Sequence, residues 1–161
     1  MDAPDVLIRY PTREDVLCLA ATMRDEDQAE VLAASGHTPL QAVEESLAVS
    51  TRAVAIHLGG KVACLAGVAP REVGNTLLTS ETVGVVWLLT SAVVDKRPRA
   101  FFALSRQFLA SFQHDFSLLV QFVDARYLKA LRYLNALGFE IHPAQPYGVE
   151  GLPFHPVTKR R

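Results

Sequence analysis

The sequence has little of several features that would point to a particular class of protein. Its 161 residues include two cysteines, Cys18 and Cys64, with no Cys-x-x-Cys or Cys-His spacing. Its five histidines are scattered, and none is spaced as His-x-x-x-His, so we predict no metal site. Both cysteines lie in apolar segments, and we expect them to be buried free thiols in a reducing compartment.

An excess of charge and a long apolar run are also missing. Sixteen basic and seventeen acidic side chains leave a formal net charge of −1, which predicts no general attraction to nucleic acid or to an anionic membrane. The longest apolar run, Val83 to Val94, has about a dozen residues, too few for a membrane span. Residues 1–5 lack the positive charge of a secretory signal, so we expect a cytoplasmic protein.

What the sequence does have is an alternation of β-like and helical segments. Half of its residues are apolar, and its length is that of one domain, which buries roughly 70% of its unfolded surface. Apolar spacing and end signals predict strands at 6–10, 52–58, 61–68, 83–90, 118–123 and 139–141. They predict helices at 13–23, 25–34, about 98–113 and 128–137, and a further helix that begins at Thr38-Pro39.

Two stretches fit neither pattern. Residues 69–82 are expected to form a polar loop or a ragged strand end around Gly74-Asn75. Residues 143–156 hold four prolines, which predicts that this tail is neither a regular helix nor a central strand. We therefore divide the chain into a domain at 1–142 and an ordered Pro/Gly-rich extension at 143–161, packed on or beside that domain.

The strand-helix-strand unit from Leu118 to Phe139 carries the most specific pattern. Apolar residues of its helix share one face, and Gly138 follows where a left-handed C-cap belongs. The unit resembles motif B of the GNAT (Gcn5-related N-acetyltransferase) superfamily, in which a strand precedes Asn-x-x-Ala, an apolar residue, a Tyr and Leu-Gly-Phe. The resemblance covers about residues 6–141. It implies an α/β (α+β) fold with a mixed sheet of six to seven strands, flanked by helices and splayed at the fourth and fifth strands.

The same resemblance implies acetyl-CoA or CoA as the cofactor. The pantetheine arm would lie along the main chain of Leu88, Leu89 and Thr90, in the splay. The family's phosphate loop, Arg/Gln-x-x-Gly-x-Gly/Ala, falls on residues 97–102, where Ala100 and Phe102 replace the two glycines. Basic side chains at this helix start would bind the phosphates instead, or would simply be solvated; they are Lys96, Arg97 and Arg99.

Motif B also departs from the family at two positions. The family's Asn falls on Tyr127, which we group with the cofactor-binding residues, and its Tyr falls on Leu134. The neighbouring Tyr133 is the candidate general acid, or else a partly exposed helical aromatic. Candidates for the general base are carboxylates and a histidine that could equally be loop or cap residues, namely Glu81, Asp124, Glu150 and His155.

A narrower resemblance concerns residues 29–36, 87–90 and 147–155, which are similar to small GNAT-like proteins of tailed bacteriophages. It implies an N-acyltransferase that acts on a host protein or a small amine in the host cytoplasm. The alternative is a catalytically weakened GNAT-fold protein that acts by binding, as a virion component or as a modulator of a host enzyme. The acidic turn at 24–27 favours a basic amine acceptor, or it is simply a solvated turn. The sequence is also compatible with a homodimer.

Overall fold

The computed structural model of the protein describes residues 5–71 and 81–161, so most of the predicted loop at 69–82 lies outside the described residues. The first part of the chain forms β1 (Val6–Arg9), α1 (Arg13–Thr22), α2 (Asp25–Ser35), α3 (Pro39–Val49), β2 (Arg52–Leu58) and β3 (Lys61–Arg71). The second part forms β4 (Val83–Thr90), α4 (Val93–Lys96), α5 (Pro98–Phe112), β5 (Leu118–Asp124), α6 (Leu128–Ala136), β6 (Glu140–Ile141), β7 (Gln145–Tyr147) and β8 (Leu152–Arg160). Among these helices, none combines the length and the apolar character that a membrane crossing requires.

Local sequence signals place several of these boundaries. The hydroxyl groups of Thr12 and Thr38 accept hydrogen bonds from main-chain N–H groups in the first turns of α1 and α3, and both threonines belong to complete capping boxes. Pro39 occupies the first turn of α3, where its missing N–H costs nothing. The β2–β3 turn has positive φ at Gly59 (57°) and Gly60 (75°), as a two-residue hairpin requires.

The sheet opens between its two parallel strands. The strand order is β1-β2-β3-β4-β5-β8-β6, and β7 also pairs with β8. Strands β4 and β5 pair only from Val83↔Leu118 to Val85↔Val120, after which β5 continues its pairing with β8 alone. The predicted mixed sheet, splayed at the fourth and fifth strands, is therefore confirmed, with eight strands in place of the predicted six to seven.

The prediction that the proline-rich tail forms no central strand is wrong. Residues of β8 pair with all seven residues of β5 on one side and with β6 and β7 on the other. Each proline lies opposite a residue that is outside the paired strands. Pro153 lies opposite Ala125, just beyond the end of β5, and Pro156 lies opposite His142, in the break between β6 and β7; in both pairs the proline carbonyl accepts from the main-chain N–H of the other residue. The missing N–H groups thus fall at gaps in the ladders, where a proline is tolerated.

Helices cover both faces of the sheet. One core cluster, beneath α1 and α3, contains Leu19, Val43 and Leu65, and the other, beneath α5 and α6, contains Phe108, Leu119 and Leu131. Cys64 is buried as expected, but Cys18 lies on the exposed side of α1, so the prediction of a second buried thiol is wrong. Helix α2 lies at the open end of the splay, where it brings polar side chains to the interior.

Candidate active site

A cavity of about 410 Å³ occupies the opening between β4 and β5, on the side of α5 and α6. Leu88 of β4 and Gln121 of β5 face it from the two diverging strands. Its other walls come from α2, the β4–α5 connection, α5 and α6, and include Arg24, Asp27, Glu30, Asp95, Arg99, Phe101, Phe102, Tyr127, Lys129 and Tyr133. The splay therefore produces a pocket of the size that small ligands occupy in proteins.

Helix α2 is fastened to the end of β4 by a buried carboxylate. Oδ2 of Asp27 accepts hydrogen bonds from the main-chain N–H (2.8 Å) and the hydroxyl of Thr90, and the carbonyl of Thr90 accepts from the main-chain N–H of Arg24 (3.0 Å). Burial raises the pKa of Asp27, although the bonds from Thr90 and the charge of Arg24 oppose that rise. Both main-chain groups of Thr90 are thus already bonded within the protein.

Glu30 lies one turn further along α2, and its carboxylate reaches across the opening to β5. Its Oε2 accepts a hydrogen bond from the main-chain N–H of Asp124 (3.1 Å). Burial raises the pKa of Glu30 to about 8, and the neighbouring carboxylates of Asp27 and Asp124 add to the rise. A carboxyl group with a pKa close to the working pH can both take up and release a proton, which is the property of a general base.

Two buried polar atoms of the cavity have no hydrogen-bond partner within the described part of the chain. They are Nε of Arg24, which is a donor, and Oε1 of Gln121, which is an acceptor. A buried polar atom without a partner costs about 1 to 3 kcal/mol, so each of these atoms would be stabilised by a bound group of the complementary kind. A ligand that carries secondary amides would offer a carbonyl oxygen to the first atom and an N–H to the second.

Two phenols line the cavity, and the hydroxyl of each already has a partner. The Tyr127 oxygen accepts from Nη2 of Arg24 (2.6 Å), and the Tyr133 hydroxyl bonds to Oγ of Ser105, which itself donates to the carbonyl of Phe101. The Tyr133 ring also stacks on that of Phe101, with centroids 5.5 Å apart. Burial raises the pKa of both phenols, so each keeps its proton at neutral pH.

The strand main chain supplies a further group at the opening. From Thr82 to Thr90, the even-numbered residues direct their N–H and C=O groups away from β3. The carbonyl of Thr82 accepts from Leu118, and both main-chain groups of Thr90 bond to residues of the α2 region. Leu88 shares this phase and lies beyond the last β4–β5 pair, so its main-chain groups face the cavity. Leu89 has the opposite phase, and its side chain belongs to the core beneath α1 and α3.

The structure separates the predicted phosphate ligands. Arg99 lines the cavity at the start of α5, close to Lys129 of α6. Lys96 and Arg97 instead line another cavity, beside α1 and the β2–β3 turn, and the Arg97 guanidinium forms a surface ion pair with Asp5. Among the predicted cofactor-binding residues, the splay cavity brings together Leu88, Thr90, Arg99 and Tyr127.

The predicted base candidates do not line the cavity. Glu81 precedes β4 at the opposite end of the strand, where it bonds to Arg160. The Asp124 carboxylate bonds to the Arg126 guanidinium, which holds the pKa of Asp124 below its usual value. Glu150 lies exposed in the β7–β8 turn, and Nδ1 of His155 contacts the carbonyl oxygen of His142 (2.8 Å). Glu30, which sequence reasoning missed, holds the position that a base would need.

Within residues 5–71 and 81–161, no three histidine, cysteine or carboxylate side chains come together as a metal ion would need. The site is a pocket that offers a donor and an acceptor to an amide, and it contains two carboxyl groups with a raised pKa, Asp27 and Glu30, and two phenols.

Comparison with solved structures relates this arrangement to known proteins. The ribosomal-protein-alanine N-acetyltransferase of Brucella melitensis superimposes with a TM-score of 0.71 at 15% identity, over 96% of this chain and 99% of that one. A GNAT-family acetyltransferase of Bacillus anthracis gives 0.66 at 10% identity, over 99% and 97%. The protein has the GNAT fold. The aminoglycoside acetyltransferase AAC(6')-Ib, solved with ribostamycin and coenzyme A, gives 0.70 at 17% identity, over 98% and 94%.

No protein-family model and no curated protein sequence matches the chain. The likeness therefore lies in the fold, and the chemistry of this GNAT-fold protein has to be argued from its own residues. One sequence signal could have revealed Glu30. Asp27 and Glu30 are spaced i, i+3 on α2, so a helix whose Asp27 faces inward presents both carboxylates on the same side.

Proposed function

We propose that this protein is an acetyl-CoA-dependent N-acyltransferase. The observation that carries the proposal is the cavity at the β4–β5 splay, with its unpartnered donor on Arg24 and acceptor on Gln121. The pantetheine arm of CoA contains two secondary amides, each with one donor and one acceptor, and so fits these atoms. AAC(6')-Ib, whose solved structure is similar in fold, has coenzyme A bound.

The residues that would hold the cofactor line one continuous path. Arg24, Gln121 and the main chain of Leu88 would bind the pantetheine arm, and Arg99 and Lys129 would bind phosphate at the start of α5. The Lys129 ammonium currently bonds to Asp95, which also accepts from Arg24 (3.0 Å). A phosphate group would therefore compete with an internal carboxylate, which should moderate the affinity for the cofactor.

Bound acetyl-CoA supplies a thioester carbonyl carbon that the nitrogen of an amine can attack. The main-chain N–H of Leu88 faces the cavity and would polarise that carbonyl oxygen. Glu30 would take the proton from the amine, because its carboxylate lies in the opening and its pKa is about 8. Tyr133, which keeps its proton at neutral pH, would donate to the leaving sulfur after turning from Ser105.

A binding experiment with a matched pair of arginine variants tests the cofactor site. Acetyl-CoA at 100 times its Kd should stabilise the protein by about 2.7 kcal/mol, which raises Tm by about 5 to 10 °C. Arg99→Ala should weaken binding by about 10-fold or more, since it removes a charged contact. Arg97→Ala should change binding by less than about 2-fold, because Arg97 faces another cavity and pairs with Asp5.

A second matched pair tests the buried acceptor atom. Gln121→Leu keeps the size of the side chain and removes its amide, so acetyl-CoA should bind about 5- to 100-fold more weakly. Gln107→Leu makes the same change on the exposed side of α5 and should have no effect on binding. No Tm shift of the unmodified protein at millimolar acetyl-CoA would contradict the proposed function, as would equal losses in the two glutamine variants.

A role in binding alone is the second candidate, and one observation favours it. Both main-chain groups of Thr90 are bonded to α2, so part of the strand edge predicted to hold the pantetheine is already in use. Such a protein would act as a phage virion component or as a modulator of a host enzyme. Acetyl transfer to any amine, lost in Glu30→Gln but kept in Glu81→Gln, would decide for the enzyme.

A further inference from the structure

A second cavity, of about 380 Å³, lies on the other face of the sheet at the same opening. Its walls come from α2, α3, β4, β5 and the end of β7. It shares three residues with the first cavity, namely Glu30, Leu88 and Gln121. The two cavities therefore meet where β4 and β5 diverge, and Glu30 lies at their junction.

The wall formed by the sheet includes three aromatic side chains, and contacts with neighbouring residues fix their positions. Nε1 of Trp87 donates to Oγ of Ser50 (2.8 Å), and Gly67 leaves room for the indole, since a Cβ there would lie 2.6 Å from Nε1. Phe122 and Tyr147 stack with their centroids 4.3 Å apart. Exposed aromatic faces attract alkyl chains and also ammonium groups.

Two carboxyl groups line the cavity. Glu30 stands at its inner end, and Glu45 of α3 contributes a second carboxylate, in contact with Nε2 of His37 (3.2 Å). Among the described residues, no lysine or arginine lines this cavity, although the Arg71 guanidinium lies over the Phe122 ring, 5.8 Å from its centroid. A ligand with a neutral amine at the Glu30 end, where the pKa of the carboxyl group is about 8, and an ammonium at the Glu45 end, separated by an apolar stem, would complement this arrangement.

The turn between β7 and β8 closes one side of the cavity region against α2. The main-chain N–H of Val149 donates to the carbonyl of Ala34 (3.2 Å), and Gly148, at φ +77°, lies so close that a Cβ would be 2.5 Å from the carbonyl oxygen of Ala33. Main-chain contact of this kind leaves no passage for an extended polypeptide between the turn and the helix. A bound ligand therefore cannot extend past the cavity on this side.

From these observations we infer that the second cavity binds the acyl acceptor, and that this acceptor is a small aliphatic diamine. One amine would reach Glu30 at the opening, the stem would lie on Trp87 and Tyr147, and the other ammonium would pair with Glu45. This inference rests on the proposed function, because it assigns the other substrate of the same reaction.

The transfer step balances on this chain's residues. The inner amine nitrogen forms a bond to the acetyl carbonyl carbon while the bond from that carbon to sulfur breaks. The amine proton passes to the Glu30 carboxylate, and the sulfur leaves with the bonding electron pair and takes a proton from Tyr133 or water. The outer ammonium takes no part in the chemistry, so a change at Glu45 should affect binding of the acceptor alone.

The test compares three acceptors at saturating acetyl-CoA. They are 1,5-diaminopentane, pentylamine, and a peptide with a blocked N-terminus and one lysine at its centre. We expect kcat/KM for the diamine to exceed that for pentylamine by about 2- to 5-fold, the size of one exposed ion pair, and the peptide to react more slowly than either. Equal kcat/KM for the two amines, or a preference for the peptide, would overturn the inference.

A pair of adjacent glutamates supplies the matched control. Glu45→Gln should raise KM for the diamine about 2- to 5-fold and leave kcat and the pentylamine reaction unchanged. Glu44→Gln should change neither reaction, because Glu44 pairs with Arg13 on the outer side of α3. If Glu45→Gln lowered both reactions equally, or Glu44→Gln had the same effect, the assigned role of Glu45 would be wrong.

The acceptor inference and the proposed function fail in different ways. A Tm shift with acetyl-CoA, lost in Arg99→Ala, together with no preference for the diamine, would overturn only the acceptor assignment. No binding of acetyl-CoA would overturn both. Binding of acetyl-CoA with a diamine preference that Glu45→Gln abolishes would support both.

Discussion

Replacing Glu30 by Gln should stabilise the protein at alkaline pH and at the same time remove the carboxylate that we propose as the catalytic base. The carboxylate accepts one hydrogen bond, from the main-chain N–H of Asp124, and a Gln side chain can accept the same bond through its amide oxygen. The substitution therefore keeps the geometry and deletes the buried charge. A group that the fold keeps at an energetic disadvantage is expected at a functional site.

The magnitude follows from the two pKa values of the residue. The pKa is 4.5 in the unfolded chain and about 8 in the folded one, so between these values the folded state binds more protons. In that window the free energy of unfolding of the unmodified protein falls by about 1.4 kcal/mol per pH unit, and it is level again above pH 8. From pH 5 to pH 9 the loss from Glu30 is about 4 kcal/mol, an upper figure because part of the side chain meets solvent.

Urea unfolding at pH 5, 7 and 9 measures this effect. The difference in unfolding free energy between Glu30→Gln and the unmodified protein should be small at pH 5 and should grow to a few kcal/mol in favour of the variant at pH 9. Glu81→Gln is the matched control, and its difference should stay within about 1 kcal/mol throughout, since its partner Arg160 is at the surface. Parallel pH profiles of Glu30→Gln and the unmodified protein would refute a buried, high-pKa carboxyl group.

The remaining predictions concern a phenol and a turn. Tyr133→Phe should lower kcat about 10- to 100-fold with little change in acetyl-CoA affinity, as measured by steady-state kinetics. Tyr127→Phe should keep kcat but lower the free energy of unfolding in urea by about 1 kcal/mol, because the bond from Arg24 is lost. Equal kcat values for the two variants would exclude Tyr133 as the acid. Gly148→Ala should cost about 1 kcal/mol more than Gly151→Ala in urea unfolding, because both glycines have positive φ but only the Gly148 position meets main-chain atoms; a smaller loss at Gly148 would contradict the contact with α2.

The parts of the fold that the sequence predicted are those with local signals. The β2–β3 hairpin follows from Gly59-Gly60, and α3 begins at Thr38-Pro39 because a cap and a proline at the first turn favour a helix start. The fold class followed from the strand-helix-strand pattern that ends at Gly138, whose φ is +94°. Each of these features depends on neighbours in the chain, which the sequence displays directly.

The parts that sequence reasoning missed depend on distant partners. The strand β8 contains Pro153 and Pro156, and these fit only because the pairing strands end or break beside them. Arg97 and Arg99 are two residues apart, yet the start of α5 directs them to different cavities. Neither outcome can be derived from propensity, since both are set by what the rest of the chain places opposite.

The raised pKa of Glu30 at the candidate site could not be predicted from the sequence either. Its cause shows what α2 contributes to that site. The pKa of Glu30 depends on burial against the end of β5 and on two other carboxylates, one of which belongs to a residue 94 positions away in the sequence. Glu30 is buried because the hydrogen bonds between Asp27 and Thr90 hold α2 against the end of β4. The next turn of the helix then lies over the opening between the strands. Loss of the Asp27 carboxylate should therefore expose Glu30 and bring its pKa down towards that of an ordinary glutamate. Asp27 thus creates the buried environment that raises the pKa of Glu30, the carboxyl group that we propose as the base.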